Sequence, residues 1–245
     1  MKDDSVYDVS IVLPCYQEET SIENSLEEIN ETINKLPFRV EVLFVDDAST
    51  DKTREKILEA SKKYSYVRYI FLEKNTGRGQ AFIIGAKAAK GRIIGFLDVD
   101  LEISIQALPD VISAIESGSD VCIVRRNYKI EWNPEFILRH LASITYKRLV
   151  WSVLKLPRLD TESGFKFFKR EKLFELLDKI ESPGWFFDTE IMCVACYSKM
   201  HVAQVDGIYK KNWNKRSTVN LFSDSLRQFF SVLSYRKKLK KIFPE

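Results

Sequence analysis

The chain has 245 residues, of which 45% are hydrophobic and 12% aromatic. That supplies a real core for one large domain and excludes a disordered or fibrous chain. Its 38 basic and 35 acidic residues leave a net charge of +3, too balanced for a dedicated nucleic-acid binder.

The opening Met1-Lys2-Asp3-Asp4 is polar, so no secretory leader is expected. No run approaches the roughly 18 apolar residues of a membrane-crossing helix, so any membrane role should be peripheral. Val9-Ser10-Ile11-Val12-Leu13 predicts a first strand, stopped by Pro14. Thr20 and Glu23 have capping-box spacing, and Ile22, Leu26, Ile29, Ile33 and Leu36 follow at helical spacing. A second strand over Val40–Val45 runs into Asp46-Asp47. A helix over about Asp51–Tyr64 and a strand over Tyr66–Leu72 come next. The turn Asn75-Thr76-Gly77-Arg78-Gly79 opens an Ala-rich helix ending at Gly91. Arg92–Leu97 then predicts a buried strand, Ile105–Glu116 a helix and Asp120–Val124 a strand. This alternation implies parallel strands with right-handed crossovers.

Past residue 126 the alternation loosens. Helices are predicted over Pro134–Leu156, Glu171–Ile180 and Phe187–Met200, with strands over Ser163–Lys169 and Val202–Tyr209. Cys15, Cys122, Cys193 and Cys196 lack the spacing of a disulfide framework and read as reduced thiols in a cytosolic setting. Cys193-Val-Ala-Cys196 has redox spacing but sits in a helical pattern, which favours a buried structural pair.

Chemistry concentrates at predicted strand ends. In an open parallel sheet the ligand crevice lies beyond the carboxyl ends of the strands, where Pro14, Asp46, Asp47 and Asp98 all fall. Strand alternation would turn Asp98 and Asp100 to one side and Val99 to the other. Two neighbouring carboxylates repel unless a cation lies between them, and oxygen-only ligands favour Mg²⁺ or Mn²⁺, which commonly carry a diphosphate. Gly77 and Gly79 lack Cβ atoms, so backbone there could approach a diphosphate at a helix N-terminus; ordinary turn glycines are the alternative.

The set Ile11-Val-Leu-Pro-Cys-Tyr-Gln-Glu18, Val45-Asp-Asp-Ala-Ser-Thr-Asp51, Gly77/Gly79 and Asp98-Val-Asp100 resembles the family-2 inverting glycosyltransferases of GT-A fold, over roughly the first 125 residues. The remainder is similar to the dolichyl- or polyprenyl-phosphate sugar synthases, through Asp160-Thr-Glu-Ser-Gly-Phe-Lys-Phe-Phe-Lys169, Gly184-Trp-Phe-Phe-Asp-Thr-Glu190 and Asn212-Trp213 ahead of Ser217. The resemblance implies an α/β fold with a mostly parallel central sheet flanked by helices. It implies one domain over 1–219, with a nucleotide-sugar half (1–126) and an acceptor half (127–219); the last segment, 220–245, reads from its own residues as a basic amphipathic helix. Three positions depart from the family pattern. Val124-Arg125-Arg126 replaces Gly-Ser-Arg, Ser163 replaces a Cys, and Arg216-Ser217-Thr218 replaces Gly-Ser-Lys.

By the same resemblance, Pro14, Tyr16 and Glu18 line the base and ribose pocket. One of Asp46 and Asp47 caps the next helix while the other bonds the nucleotide, and Gly77 and Gly79 meet the diphosphate. Asp98 bonds ribose or donor sugar and joins Asp100 and Glu102 around Mg²⁺ or Mn²⁺. Arg126, with Arg139, Ser143, Arg216 and Ser217, holds the acceptor phosphate. Asp188 positions sugar or acceptor where hydroxyl-using relatives place a base, and Glu190 is a helix-start acid. The implied reaction moves a hexose with inversion from a nucleotide-diphosphate sugar, UDP-glucose before GDP-mannose, to a polyprenyl or dolichyl phosphate. Transfer to a saccharide hydroxyl, with Asp188 as base, is the alternative, and a non-catalytic binding module is a more distant one.

In the final helix Leu226, Phe229, Phe230 and Leu233 form an apolar stripe ahead of Arg236–Lys241. That composition suits an interfacial helix on an anionic membrane or a helix docked on its own core. A lipid-linked acceptor favours the membrane, on its cytosolic face.

Overall fold

The computed structural model describes residues 7–128, 134–210 and 221–243, with side chains described for 7–127, 143–210 and 231–243. Four parallel strands, β1 (Tyr7–Cys15), β2 (Val40–Asp46), β3 (Val67–Phe71) and β4 (Gly91–Phe96), alternate with α1 (Ile22–Ile33), α2 (Thr53–Lys63) and α3 (Arg78–Ala88). A 3₁₀ turn at Ile105–Ala107 and α4 (Leu108–Glu116) lead to β5 (Val121–Tyr128). After it come α5 (Pro134–Val153), β6 (Lys166–Lys169), α6 (Arg170–Leu177), α7 (Phe187–Tyr197), β7 (Val202–Tyr209) and α8 (Leu221–Ile242). The seven strands form one sheet in the order β3-β2-β1-β4-β6-β5-β7.

The sheet is the middle of three layers because its strands are apolar on both faces, as buried parallel strands must be. Val9, Ile11 and Leu13 of β1 pack with Ile22, Leu26, Ile29 and Ile33 of α1 on one face. Val12, Ile94 and Phe96 pack with Phe82 of α3 and Phe187 and Ile191 of α7 on the other.

Four local expectations change. Pro14 does not stop β1, which continues to Cys15 and pairs Pro14 with Val45. Pairing of β1 with β4 ends at Val12, so the missing N–H of Pro14 falls beside an open edge. The capping box of α1 does not form: Ser21 is the N-cap, without a side-chain cap bond, and Glu23 instead accepts from Lys56 Nζ at 2.5 Å. Asp98-Val-Asp100 lies past the end of β4, in a turn closed by Leu101 N–H donating to the Asp98 carbonyl at 3.0 Å, not in the strand.

The fourth change matters most. β6 is antiparallel to both β4 and β5 and separates them. The chain therefore enters β6 from the carboxyl ends of its neighbours. The preceding Asp160-Thr161-Glu162-Ser163-Gly164 turn thus lies at the rim where a parallel sheet keeps its ligand crevice.

Candidate active site at the strand ends

The β2 end is a built scaffold. Asp46 is fully buried, and its carboxylate accepts from Arg54 Nε at 2.6 Å and from Ser49 N–H at 3.3 Å. Arg54 also donates to the Leu72 carbonyl at 2.5 Å. Asp47 accepts from Thr76 N–H (2.7 Å), Thr76 Oγ1 (2.9 Å) and Gly77 N–H (2.7 Å). Neither acid caps α2: Asp46 is turned onto the Arg54 side chain of that helix and onto Ser49, and Asp47 onto the Thr76-Gly77 turn.

The glycine turn is likewise packed against protein. Gly77 has φ +91°, and a Cβ there would lie 2.5 Å from the Pro183 carbonyl oxygen. A Cβ on Gly79 would meet Phe187 at 2.7 Å, and Gly79 N–H already donates to the Pro183 carbonyl at 2.8 Å. The 182–187 segment makes a close approach to both glycines, through the Pro183 carbonyl and the Phe187 side chain. That segment is itself pinned by Glu190, which is fully buried and accepts from Ser182 N–H at 2.6 Å and Lys238 Nζ at 3.3 Å. Glu190 is a staple between α7, this loop and α8, more than a helix-start acid.

Arg78, between the two glycines, organises the centre. Its Nε and Nη2 donate to Asp98 Oδ1 at 3.0 and 2.5 Å, its Nη1 donates to Asp188 Oδ2, and its guanidinium lies over Phe96 (5.0 Å) and Trp185 (5.9 Å). Burial opposes its charge, but Asp188 and Asp98 outweigh that and hold it above the ordinary arginine range. Asp188 Oδ1 in turn accepts from Lys166 Nζ at 2.6 Å, and Lys166 also donates to the Ser163 carbonyl. Lys166 is fully buried; desolvation pulls its pKa below the usual lysine value despite Asp188. Gly164 closes the floor: a Cβ there would sit 1.7 Å from Asp98 Oδ2.

The Asp98 side chain remains 41% exposed, open to a ligand from the crevice. Asp100 follows on the same turn and accepts from Glu102 N–H at 3.4 Å. Glu102 itself accepts from Tyr209 OH at 2.8 Å, which ties its carboxylate to β7. Among the described residues no three His, Cys, Asp or Glu side chains converge as a metal-holding group. Two carboxylates of purely oxygen character still fit Mg²⁺ or Mn²⁺, which commonly take one or two protein carboxylates and complete their shell with substrate phosphate and water.

At the end of β5, Arg126 grips Asp160 through Nε (2.9 Å) and Nη2 (2.8 Å), and Lys147 of α5 approaches the same carboxylate at 3.1 Å. Burial raises the Asp160 pKa, but Arg126 and Lys147 prevail and leave it well below the usual carboxylate range. Arg126 Nη2 also donates to Glu162 Oε2 at 3.1 Å, and Ser143 Oγ donates to the same oxygen at 3.3 Å. Arg126 and Ser143 are thus brought together, but across a carboxylate of the chain. The side chain of Arg139, and Arg216 and Ser217 entirely, lie outside the described residues.

Of the remaining candidates, Pro14 sits near the end of β1 and Tyr16 is exposed beyond it. Gln17 adopts φ +59°, and Glu18 donates its N–H to Thr53 Oγ1 at 2.8 Å, tying this loop to α2. Sequence reasoning left Arg78 undecided and gave no role to Lys166, Asp160, Glu162 or Trp185. Their only signal was membership in motifs quoted for other residues.

α8 resolves in favour of docking for the part described. Val232, Tyr235 and Leu239 are buried with Val150 and Leu154 of α5 and Cys193 of α7. Leu233 is exposed, and the side chains of Leu226, Phe229 and Phe230 lie outside the described residues. No described helix is long and apolar enough to cross a membrane.

Comparison with known proteins agrees with this architecture. The chain is 30% identical over 236 residues to glycosyltransferase AglD of Haloferax volcanii, covering 92% of this chain and 36% of that protein. It is 30% identical to a dolichol-phosphate mannosyltransferase of Pyrococcus furiosus (96% of this chain, 66% of the relative). It is 28% identical to the human dolichyl-phosphate beta-glucosyltransferase (94% and 73%). The chain therefore spans about a third of the first of these relatives and about two thirds or more of the others. Glucosyl-3-phosphoglycerate synthase of Mycobacterium tuberculosis, solved with Mn²⁺ and UDP-glucose, shares the fold at TM-score 0.69 and 18% identity, covering 94% of this chain and 79% of that one. Residues 10–177 match the glycosyl transferase family 2 domain, and the chain belongs to that family.

Proposed function

We propose that this chain transfers a hexose, with inversion, from a nucleotide-diphosphate sugar to a polyprenyl or dolichyl phosphate. UDP-glucose is the first donor and GDP-mannose the second. The observation that carries the acceptor class is the state of Asp188, whose two oxygens are each engaged by a cation, Arg78 and Lys166. A hydroxyl acceptor needs a base with an oxygen turned toward it. A phosphate monoester needs none, because with a second pKa of roughly 6 it is already largely dianionic at neutral pH. Asp188 is built as a brace between Arg78 and Lys166, and the dolichyl-phosphate names of several relatives support the same acceptor.

In this reading Pro14, Tyr16 and Glu18 line the nucleoside end of the donor. Asp98 and Asp100 hold Mg²⁺ or Mn²⁺ with the donor diphosphate, and the ion supplies charge neutralisation for the departing nucleoside diphosphate. Arg78 and Gly164 fix the Asp98 carboxylate at the crevice, while Asp47 and Glu190 keep the loops around it in place. Arg126 and Ser143 receive the acceptor phosphate, with Arg139, Arg216 and Ser217 as further donors. The enzyme works at the cytosolic face of a membrane, where the cations of Arg236–Lys241 favour an anionic surface.

Incubation with radiolabelled UDP-glucose and dolichyl phosphate tests the proposal. The expected result is an organic-soluble labelled product that EDTA abolishes and that Asp188→Asn reduces without eliminating. Absence of any metal-dependent lipid product, with every nucleotide sugar tried, would defeat it. Loss of all turnover in Asp188→Asn with donor binding intact would point instead to a hydroxyl acceptor. Vesicle flotation that weakens as salt rises tests the membrane contact.

A further inference from the structure

The two carboxylates on Arg126 are not equivalent. Asp160 is almost wholly buried, takes two guanidinium hydrogen bonds and the Arg126 N–H, and is shared with Lys147. It is a fixed part of the wall. Glu162 has 24% of its side chain exposed, and its described bonds are one from Arg126 Nη2 at 3.1 Å and one from Ser143 Oγ at 3.3 Å, both to Oε2. The donors that converge on Oε2, a guanidinium N–H and a hydroxyl, are the pair that suits a phosphate oxygen. Counting these four side chains, Arg126 and Lys147 balance Asp160 and Glu162, so the cluster carries no net charge while Glu162 is in place.

We propose that Glu162 is a built-in occupant of the acceptor-phosphate seat and sets a charge threshold for acceptors. The inference rests on the lipid-phosphate reading above and adds a specificity determinant to it. A phosphate dianion displaces the Glu162 carboxylate because it offers Arg126 and Ser143 more charge and more oxygens than the carboxylate does. A phosphodiester carries one charge, no more than Glu162 itself, and fails to displace it. The seat thus rejects abundant membrane phosphodiesters and admits the rarer monophosphate. Glu162 is a positioning residue here: it acts through Arg126 and touches neither reacting atom.

The test is calorimetric binding to the full chain of a short prenyl monophosphate and of its methyl diester, comparing the native protein with Glu162→Gln. Glutamine keeps the shape and removes the competing charge. The native protein should bind the monoester and not measurably the diester. Glu162→Gln should bind the monoester about tenfold more tightly, the effect of removing one charge-assisted contact from the competition, and should bind the diester too. A purely structural Glu162 would weaken both ligands together and leave their ratio unchanged, which overturns the inference. A thermal melt confirms that the variant is folded, and Glu162→Asp, which restores the charge, should restore rejection of the diester. If neither protein binds either prenyl phosphate while sugar passes to a saccharide, the acceptor reading itself falls, and this inference with it. If the monoester binds the native protein and the mono-to-diester ratio survives in Glu162→Gln, only the inference falls.

Discussion

Two arginines organise the crevice, and they do it differently. Arg78 joins carboxylates from opposite halves of the chain, Asp98 after β4 and Asp188 in α7, and Lys166 closes the set from below. Arg126 holds one carboxylate, Asp160, as firmly, but its second, Glu162, by a single contact near solvent. Asp98 takes two guanidinium hydrogen bonds and Asp188 is tied a second time by Lys166, so Arg78 is a brace; Glu162 takes one from Arg126, a partner that can be exchanged. On the proposed reading, the Arg78 cluster is pre-assembled for the donor and the Arg126 cluster is displaceable, as suits an incoming anionic acceptor.

The sharpest way to break that comparison is Arg78→Met. Removing one partner of a buried ion pair costs about 3–5 kcal/mol, and Asp98, left without its guanidinium, then faces an Asp188 that keeps only Lys166. Sugar transfer should fall at least about a thousandfold, on the scale of lost electrostatic preorganisation, and the urea midpoint should drop with it. Activity within tenfold of native would show that the brace is dispensable.

Asp160→Asn probes the fixed part of the second cluster. The folded pKa of Asp160 lies below its ordinary value of 3.8, so the ion pair stabilises the fold above that value and the contribution is lost as pH falls through the folded pKa. The variant should be about 3 kcal/mol less stable at pH 7, with the gap in melting temperature narrowing below pH 3.8. A gap of constant size from pH 7 to pH 2 would argue that Asp160 acts through packing alone.

Gly164→Ala separates geometry from charge. The added methyl overlaps Asp98 Oδ2, so Asp98 must move while every charged group stays. A displacement on the order of 1 Å predicts a loss of about a hundredfold in kcat, with donor affinity much less affected. Equal losses in kcat and donor affinity would mean that Asp98 serves binding more than chemistry.

The smallest effect belongs to Lys238→Met. The Lys238 side chain is 29% exposed and links α8 to Glu181 and Glu190, so stability should fall by about 1 kcal/mol or less. Its use is comparative. If the rate falls more than stability does, the loop at residues 181–184 passes the position of α8 to the Arg78 brace.

Much of this was legible along the chain. The 4-3-4 spacing of Ile22, Leu26, Ile29 and Ile33 gave α1 its buried face, because helical periodicity is a local property. The strands β1 to β4 were read from branched apolar runs, and the carboxylates at their ends followed from the same runs. Hydrogen-bonding partners were not legible. The acids of β2 look alike as neighbours, yet Asp46 faces Arg54 and Asp47 faces the glycine turn. Gly77 and Gly79 announce a close approach, but sequence does not name the protein groups that make one, which are Pro183 and Phe187.

By itself the sequence determined the order of elements, the placement of acids and glycines at strand ends, and the membership in a family. Tertiary structure decided that β6 runs antiparallel between β4 and β5, and so delivers Asp160, Glu162 and Gly164 to the crevice. It also decided that Arg78 meets Asp188 across 110 positions. The reason is physical: periodicity and turn chemistry act within a few residues, whereas the pairing of buried charges is settled by which segments the packed sheet and helices bring within about 3 Å of each other.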